Sequence, residues 1–388
     1  MSGATNRAAQ DAPIATDTSW KSFDAGALAN NATAALRAYD PGHDLPALRK
    51  RFGAEIAELG SNENPLGPSP RAVEAMRGAL AETFRYPDPR GLSLKTALSA
   101  RLGVGTDRIA LGNGSHELLM LLAQCFADST HSVVFSQYGF AVFPIATAAA
   151  GAIALRVPAL PRSHPSAPYG HDLDAIAAAV RADTRIVYLA NPNNPTGTWF
   201  DDAALDDFVA RVPRDVLIVV DEAYSEYVDA SGLTSALRLA GRYPNLVVTR
   251  TFSKAYGLAG LRVGYFIAHP SVVEVIERLR ESFNVNNVAL AAAEAALSDA
   301  EHLAEVRAFN GAERAWLVDA LKSRGYAPLP SQTNFVLVDV GGDAAQFEKR
   351  LFERGVIVRP MQGYGFRDAV RISVGNRTEN QRLADALP

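Results

Sequence analysis

One cysteine, Cys125, stands in 388 residues, so an internal disulfide is excluded and the chain reads as a protein of a reducing compartment. Lysine is scarce: there are six, Lys21, Lys50, Lys95, Lys254, Lys322 and Lys349, among 38 basic residues. None of them follows a glycine, which removes the G-x-x-x-x-G-K-[ST] loop of a phosphate-gripping nucleotidase. No apolar run approaches the roughly 20 residues that span a bilayer, so no membrane partner is expected. The basic side chains are dispersed, the formal charge is -4 and the pI is near 6.0, so no nucleic-acid partner is expected either. Met1 to Asp24 lacks the apolar stretch of a secretion signal and carries Asp11 and Asp17, which predicts a mobile N-terminal arm on a cytoplasmic protein. With 48% hydrophobic and 21% charged residues, the remainder suffices for large cores and predicts two domains.

Short runs rich in β-branched residues recur along the chain: Arg108–Leu111, Ser132–Phe135, Ala152–Val157, Arg185–Leu189, Val216–Val220, Leu246–Thr249 and Val263–Ile267. Several are apolar throughout, as strands covered on both faces are. Helical patterns such as Glu117–Phe126, Leu173–Arg181 and Ala203–Val212 separate them, which predicts an α/β domain with a mostly parallel sheet. A helix over Val272–Phe283 and a long alanine-rich stretch, Val288–Leu321, lead to strands at Phe335–Val340 and Ala369–Val374, read as a smaller α+β domain.

Open α/β sheets bind ligands beyond the carboxyl ends of their strands. Four such ends carry chemistry here: Gly112-Asn113-Gly114-Ser115-His116-Glu117, Asn191-Pro192-Asn193-Asn194-Pro195-Thr196-Gly197, Asp221-Glu222-Ala223-Tyr224, and Thr251-Phe252-Ser253-Lys254. Each has a plain structural reading: a glycine turn with Ser115 as cap, a loop of turn formers, an acid capping the next helix, a loop lysine. The functional reading of the first is an anion seat at a helix N-terminus, with Arg262 supplying a guanidinium. Lys254 lies amid hydroxyls and glycines, where a hydrated lysine gains little unless it is desolvated into a nucleophile, so Schiff-base chemistry is predicted. The other five lysines read as solvated surface groups.

In this order and spacing the chain resembles the aspartate aminotransferase superfamily of pyridoxal-phosphate enzymes, fold type I, and within it the histidinol-phosphate aminotransferase group. The resemblance runs from about Tyr39 to the C-terminus. Besides the four segments above, it rests on Ser61-Asn62-Glu63-Asn64-Pro65-Leu66-Gly67-Pro68, Tyr86-Pro87-Asp88-Pro89, Arg250 to Arg262, Gly355 to Pro360 and Arg371-Ile372-Ser373. It implies a large domain, 61–284, around a mostly parallel seven-stranded sheet. A small α+β domain, 285–388, joins an N-terminal arm and part of the small domain, 1–60. By resemblance Lys254 binds pyridoxal 5'-phosphate covalently and then moves the proton between the substrate carbon and the cofactor. Asp221 pairs with the pyridine nitrogen, Tyr224 and Asn194 bond the phenolic oxygen, and Tyr138 stacks on the ring. Thr251, Ser253, Arg262 and the backbone of Gly114 and Ser115 hold the phosphate, with His116 nearby. A cis bond is expected at Asn194–Pro195.

For substrate, the resemblance points to Arg359 and Arg371 as shared anion binders, with Tyr39, Asn64 and Tyr86, the last from the other subunit of a homodimer. The implied reaction takes histidinol phosphate and 2-oxoglutarate to imidazole acetol phosphate and glutamate, with no metal. Aromatic amino acid transamination and decarboxylation of a phosphorylated amino acid stay open. A cofactor-sensing regulator would need a DNA-binding domain, and the first 60 residues lack a basic helix-turn-helix pattern. The chain departs from many relatives at His116, where they have Asp, at Ser136-Gln137, where Pro-Thr is frequent, and at Glu281-Ser282-Phe283-Asn284, which lacks a proline.

Overall fold

A computed structural model describes residues 24–34, 36, 45–52 and 56–388. Residues 1–23 of the expected arm, and Tyr39, lie outside the described residues. Strand β1 (Ala57–Glu58) is followed by seven strands: β2 (Ile109–Gly112), β3 (Ser132–Ser136), β4 (Ile153–Val157), β5 (Thr184–Ala190), β6 (Leu217–Asp221), β7 (Leu246–Thr251) and β8 (Gly264–Ile267). These seven form one sheet in the order β2-β8-β7-β6-β5-β3-β4. All run parallel except β8, which is antiparallel to both of its neighbours.

The apolar runs become central strands because alternate residues face two separate cores. Val219 and Val247 pack with the helices Gly114–Phe126 and Pro270–Leu279, while Ile218, Val220 and Val248 pack with the helix Asp202–Arg211. Each such side chain, fully buried, contributes about 1.5–3 kcal/mol. Asp201 caps its helix by accepting from the Ala204 N–H. Asn113, by contrast, places no side-chain cap on the helix Gly114–Phe126, whose first N–H groups are left for another acceptor.

The second unit contains β9 (Ala327–Pro328), β10 (Phe335–Asp339), β11 (Val356–Ile357), β12 (Arg359–Pro360) and β13 (Ala369–Ser373). Four of them form an antiparallel sheet, β12-β13-β10-β9. β1 pairs parallel with β11, and this brings Ser61 and Asn62, just beyond it, to the mouth of the large sheet.

The alanine-rich stretch is two helices, Asn287–Ser298 and Ala300–Lys322, broken at Asp299, which accepts from the His302 N–H. The first was expected to open the small domain. It packs instead on Leu94, Leu98 and the strand residues Ile109 and Ile267, its Ala289, Ala292, Ala293 and Ala296 permitting close approach. We therefore place the boundary at Asp299.

Candidate active site

The carboxyl ends of β5, β6 and β7 and the turn after β2 converge on a cavity of about 170 Å³. At one end the turn enters the uncapped helix at Gly114, whose φ is +81°. A Cβ there would lie 2.7 Å from Arg262 Nη2. A Cβ on Gly264 would lie 2.7 Å from both Gly114 C and Ser115 N, so β8 admits the turn only because it carries no side chain at that position. Arg262 Nη1 donates to Ser253 Oγ at 3.3 Å, and its Nη2 donates to the Asn113 carbonyl at 3.3 Å. Thr251 Oγ1 donates to Ser253 Oγ at 3.0 Å. His116 lines the same end, and burial, then the neighbouring Arg262 guanidinium, hold its imidazole below the usual histidine range. One guanidinium, two hydroxyls and free backbone N–H groups make an anion seat.

At the other end Asp221 closes β6, buried, accepting from Thr249 Oγ1 at 2.8 Å. Burial pushes its carboxyl up to about 6, and the adjacent Glu222 adds to the rise. Glu222 itself turns to the opposite side, where it accepts from Arg250 Nη2 at 2.7 Å and Ser235 Oγ at 2.8 Å. Lys254 Nζ donates to the carbonyls of Asn62 at 3.3 Å and Ser61 at 3.4 Å. Burial, then the guanidinium of Arg371, pushes its amine down to about 8. Tyr224 is buried, which holds its phenol well above the usual range and therefore protonated.

Asn194 precedes a cis peptide bond to Pro195, as expected, and Asn191–Pro192 is cis as well. Below this loop His171 Nε2 accepts from the Ala190 N–H at 3.1 Å; burial holds its imidazole down at about 4, so it props the strand end as a neutral ring.

The structure thus gathers Ser115, His116, Asn194, Asp221, Tyr224, Thr251, Ser253, Lys254, Arg262 and Arg371 around one cavity. Other expected residues lie elsewhere. Tyr138 stacks on Phe366 with centroids 4.2 Å apart, drawn into an apolar cluster with Tyr169, and the phenyl ring lining the cavity is Phe140. Asn64 uses its amide to staple its own loop, donating to the carbonyls of Ala255 at 3.0 Å and Gly67 at 3.2 Å. Arg359 sits opposite Arg371 in the β12–β13 ladder and is not among the lining residues. Tyr86 is 83% exposed and stacks on Phe283 at 4.7 Å. Lys95, read as solvated, is buried beside Glu277 with Nζ 3.3 Å from its carboxylate. Asn62 was quoted only as part of a motif, yet its side chain donates to Tyr224 Oη at 3.0 Å.

The sequence pattern of the aminotransferase class I and II family matches residues 54–387. The chain belongs to that family. This aminotransferase is 47% identical over 353 residues to histidinol-phosphate aminotransferase 1 of Nitrosococcus oceani, covering 91% of this chain and 94% of the relative. It is 47% identical over 364 residues to histidinol-phosphate aminotransferase 2 of Pseudomonas aeruginosa, covering 93% and 97%. Among solved structures, histidinol-phosphate aminotransferase from Sinorhizobium meliloti in complex with pyridoxal-5'-phosphate shares 34% identity and a TM-score of 0.82, covering 92% of this chain and 96% of that one. Aspartate aminotransferase of Thermus thermophilus with maleate, at 22% identity and a TM-score of 0.80, shares the fold. The expected fold type I, with its mostly parallel seven-stranded sheet, is the fold of this transaminase.

Proposed function

We propose that this transaminase holds pyridoxal 5'-phosphate in the cavity and carries an amino group from histidinol phosphate to 2-oxoglutarate, giving imidazole acetol phosphate and glutamate. The observation that carries the chemistry is one cavity that sets the buried Lys254 amine and Asp221 carboxyl opposite the seat formed by Arg262, Ser253 and Thr251; burial pushes the amine down to about 8 and the carboxyl up to about 6. The choice of donor is supported by the 47% identity to histidinol-phosphate aminotransferases over nearly the whole chain.

The residues present fit that cofactor. Arg262, Ser253, Thr251 and the N–H groups of Gly114 and Ser115 hold its phosphate beside His116, and the clash a Cβ would make at Gly114 marks how closely backbone and guanidinium converge there. Asp221 would pair with the ring nitrogen and Tyr224 and Asn194 with the phenolic oxygen, while Phe140, which lines the cavity, is the aromatic side chain within reach of the ring. When bound, the cofactor supplies an electron sink for the pair left behind as the substrate carbon loses its proton. Lys254 Nζ, as an amine about half neutral near pH 8, takes that proton and returns one; positioned transfer of this kind typically gives about 10²- to 10⁴-fold. Arg371 pairs with the anionic group of either substrate.

The reading extends to a cytoplasmic homodimer. Tyr86 lies outside its own cavity and is exposed together with Phe84, Leu80 and Leu92, an apolar face suited to a second subunit that receives Tyr86. The test is to add histidinol phosphate, glutamate and phenylalanine separately to cofactor-loaded protein and follow its visible absorbance. Rapid saturable bleaching by histidinol phosphate and by glutamate, with phenylalanine slow, is expected. Bleaching chiefly by phenylalanine, or none by histidinol phosphate, overturns the substrate.

A further inference from the structure

We propose that Asn62 is a positioning residue that fixes the direction of the Tyr224 hydrogen bond, so that the phenol donates its proton into the cavity; this rests on the cofactor reading above. The argument follows the protons. The Asn62 backbone N–H donates to Ser373 Oγ at 2.8 Å, and Ser373 Oγ lies 3.1 Å from Asn62 Oδ1. A hydroxyl has one proton, and Oδ1 can only accept, so the Ser373 proton goes to Oδ1. That orients the amide and puts Nδ2, which can only donate, 3.0 Å from Tyr224 Oη. Tyr224 Oη accepts on that side, and its own proton is left to point toward the cavity that it lines. With the amide reversed, Ser373 Oγ would receive two donors and its proton would lose Oδ1 as acceptor.

The backbone of Asn62 makes the arrangement possible. Its φ of +55° lies in the left-handed region that asparagine tolerates better than most residues. In that conformation the N–H faces Ser373 while the carbonyl accepts from Lys254 Nζ at 3.3 Å and from Asn334 Nδ2 at 3.0 Å. The residue is 1% exposed, which shields its amide from water. The charged and titratable groups that bear on Tyr224 are Arg371 from β13, Asp221 from β6, Tyr364 and Lys254, whose Nζ is 5.8 Å from the phenol ring centroid.

The consequence is electronic. A phenol compelled to donate stabilises negative charge on the cofactor's phenolic oxygen and thereby eases loss of the proton from the linked Lys254 nitrogen. The test is a pH titration of the visible absorbance of cofactor-loaded protein, which needs no substrate. Asn62→Gly keeps the left-handed backbone and removes the amide. It should raise the pH of the spectral transition by about 0.5–1 unit, the size of one net hydrogen bond. Ser373→Ala, which unlocks the amide without touching Tyr224, should shift it in the same direction. In the Tyr224→Phe background, which itself raises the transition, Asn62→Gly should add nothing. An unshifted transition in both single variants, or an additive shift in the double, overturns the proposal. Failure of the wild-type protein to develop the cofactor absorbance overturns the cofactor reading, and the role of Asn62 with it.

Discussion

Arg371 Nη1, on β13 of the small sheet, donates across 2.8 Å to Oδ1 of Asn194, on the loop after β5 of the large sheet. A guanidinium only donates, so Asn194 presents its carbonyl to Arg371 and its Nδ2 is left to act as donor toward the cavity. Arg371 is further held by donating from Nη2 to the Gly60 carbonyl at 2.6 Å. In the proposed reading, Asn194 would link the guanidinium that takes the substrate anion to the cofactor's phenolic oxygen.

Arg371→Ala should lower kcat/KM about 10- to 100-fold, the loss of a charge-assisted bond, with KM rising for both amino donor and oxo acid. Steady-state kinetics with each substrate varied in turn checks this. A rise for one substrate alone would defeat the shared-anion role, and Arg371→Lys should restore little, because its point charge cannot bridge Asn194 and Gly60 together.

The Lys254 amine, pushed down to about 8, should set the pH of cofactor uptake. Its neutral form is the nucleophile, so the rate at which cofactor-free protein develops visible absorbance should climb through pH 8 and level off by about pH 9. An ordinary lysine near pH 10.4 would still be climbing there. Stopped-flow absorbance at fixed cofactor concentration distinguishes the two.

Asp221 carries a stability cost. Its folded-state pKa, about 6, lies above the unfolded value near 3.9, so the folded form is favoured while the group is protonated and loses stability as pH rises from about 4 to 6. Asp221→Asn should therefore stabilise the cofactor-free protein at pH 7.5, by up to about 3 kcal/mol, with the advantage shrinking as pH falls below 6. Activity should be lost at the same time. Melting curves of cofactor-free wild type and variant at pH 7.5, 6 and 5 test it; a gap that does not change with pH would refute the assignment.

The proposed action of Tyr86 in a neighbouring subunit makes a mixing prediction. Lys254→Ala and Tyr86→Ala subunits should be inactive or nearly so alone. Co-expressed, they should regain up to one working site per mixed dimer, since one chain supplies Lys254 and the other Tyr86. Activity in mixtures no greater than the sum of the parents would place Tyr86 outside the partner's site.

Much of this architecture was legible in the chain. All seven strands of the large sheet coincide within two residues with the expected runs; the central ones stand out because a strand buried on both faces has no polar positions to blur it, whereas the edge strand β4 leaves Ile153 and Arg156 exposed. The segments just past the strands carry Ser115, Asn194, Asp221, Tyr224 and Lys254, and the family resemblance supplied the role expected of each. What escaped depends on distant contacts. Asn62 and Asn64 are two positions apart, and only the φ of +55° at Asn62 and its bonds to Ser373, 311 residues away, turn Asn62 inward while Asn64 staples its loop. Tyr138 is captured by Phe366 of the small unit, a pairing no local pattern records. Lys95 is carried inward because its helix Leu92–Leu102 lies against Glu277, and the helix Asn287–Ser298 joins the large core because its alanines fit there.

Gly264 narrows the evolutionary routes open to this protein. The position lies in the strand between β2 and β7, and even the smallest side chain would press on the peptide joining Gly114 to Ser115. A single substitution there would disturb the anion seat while leaving Lys254, Asp221 and Arg371 untouched. A descendant with every reactive side chain in place but alanine at 264 would have to displace the turn at Gly114 and Ser115, a change that inspection of its catalytic residues alone would not reveal.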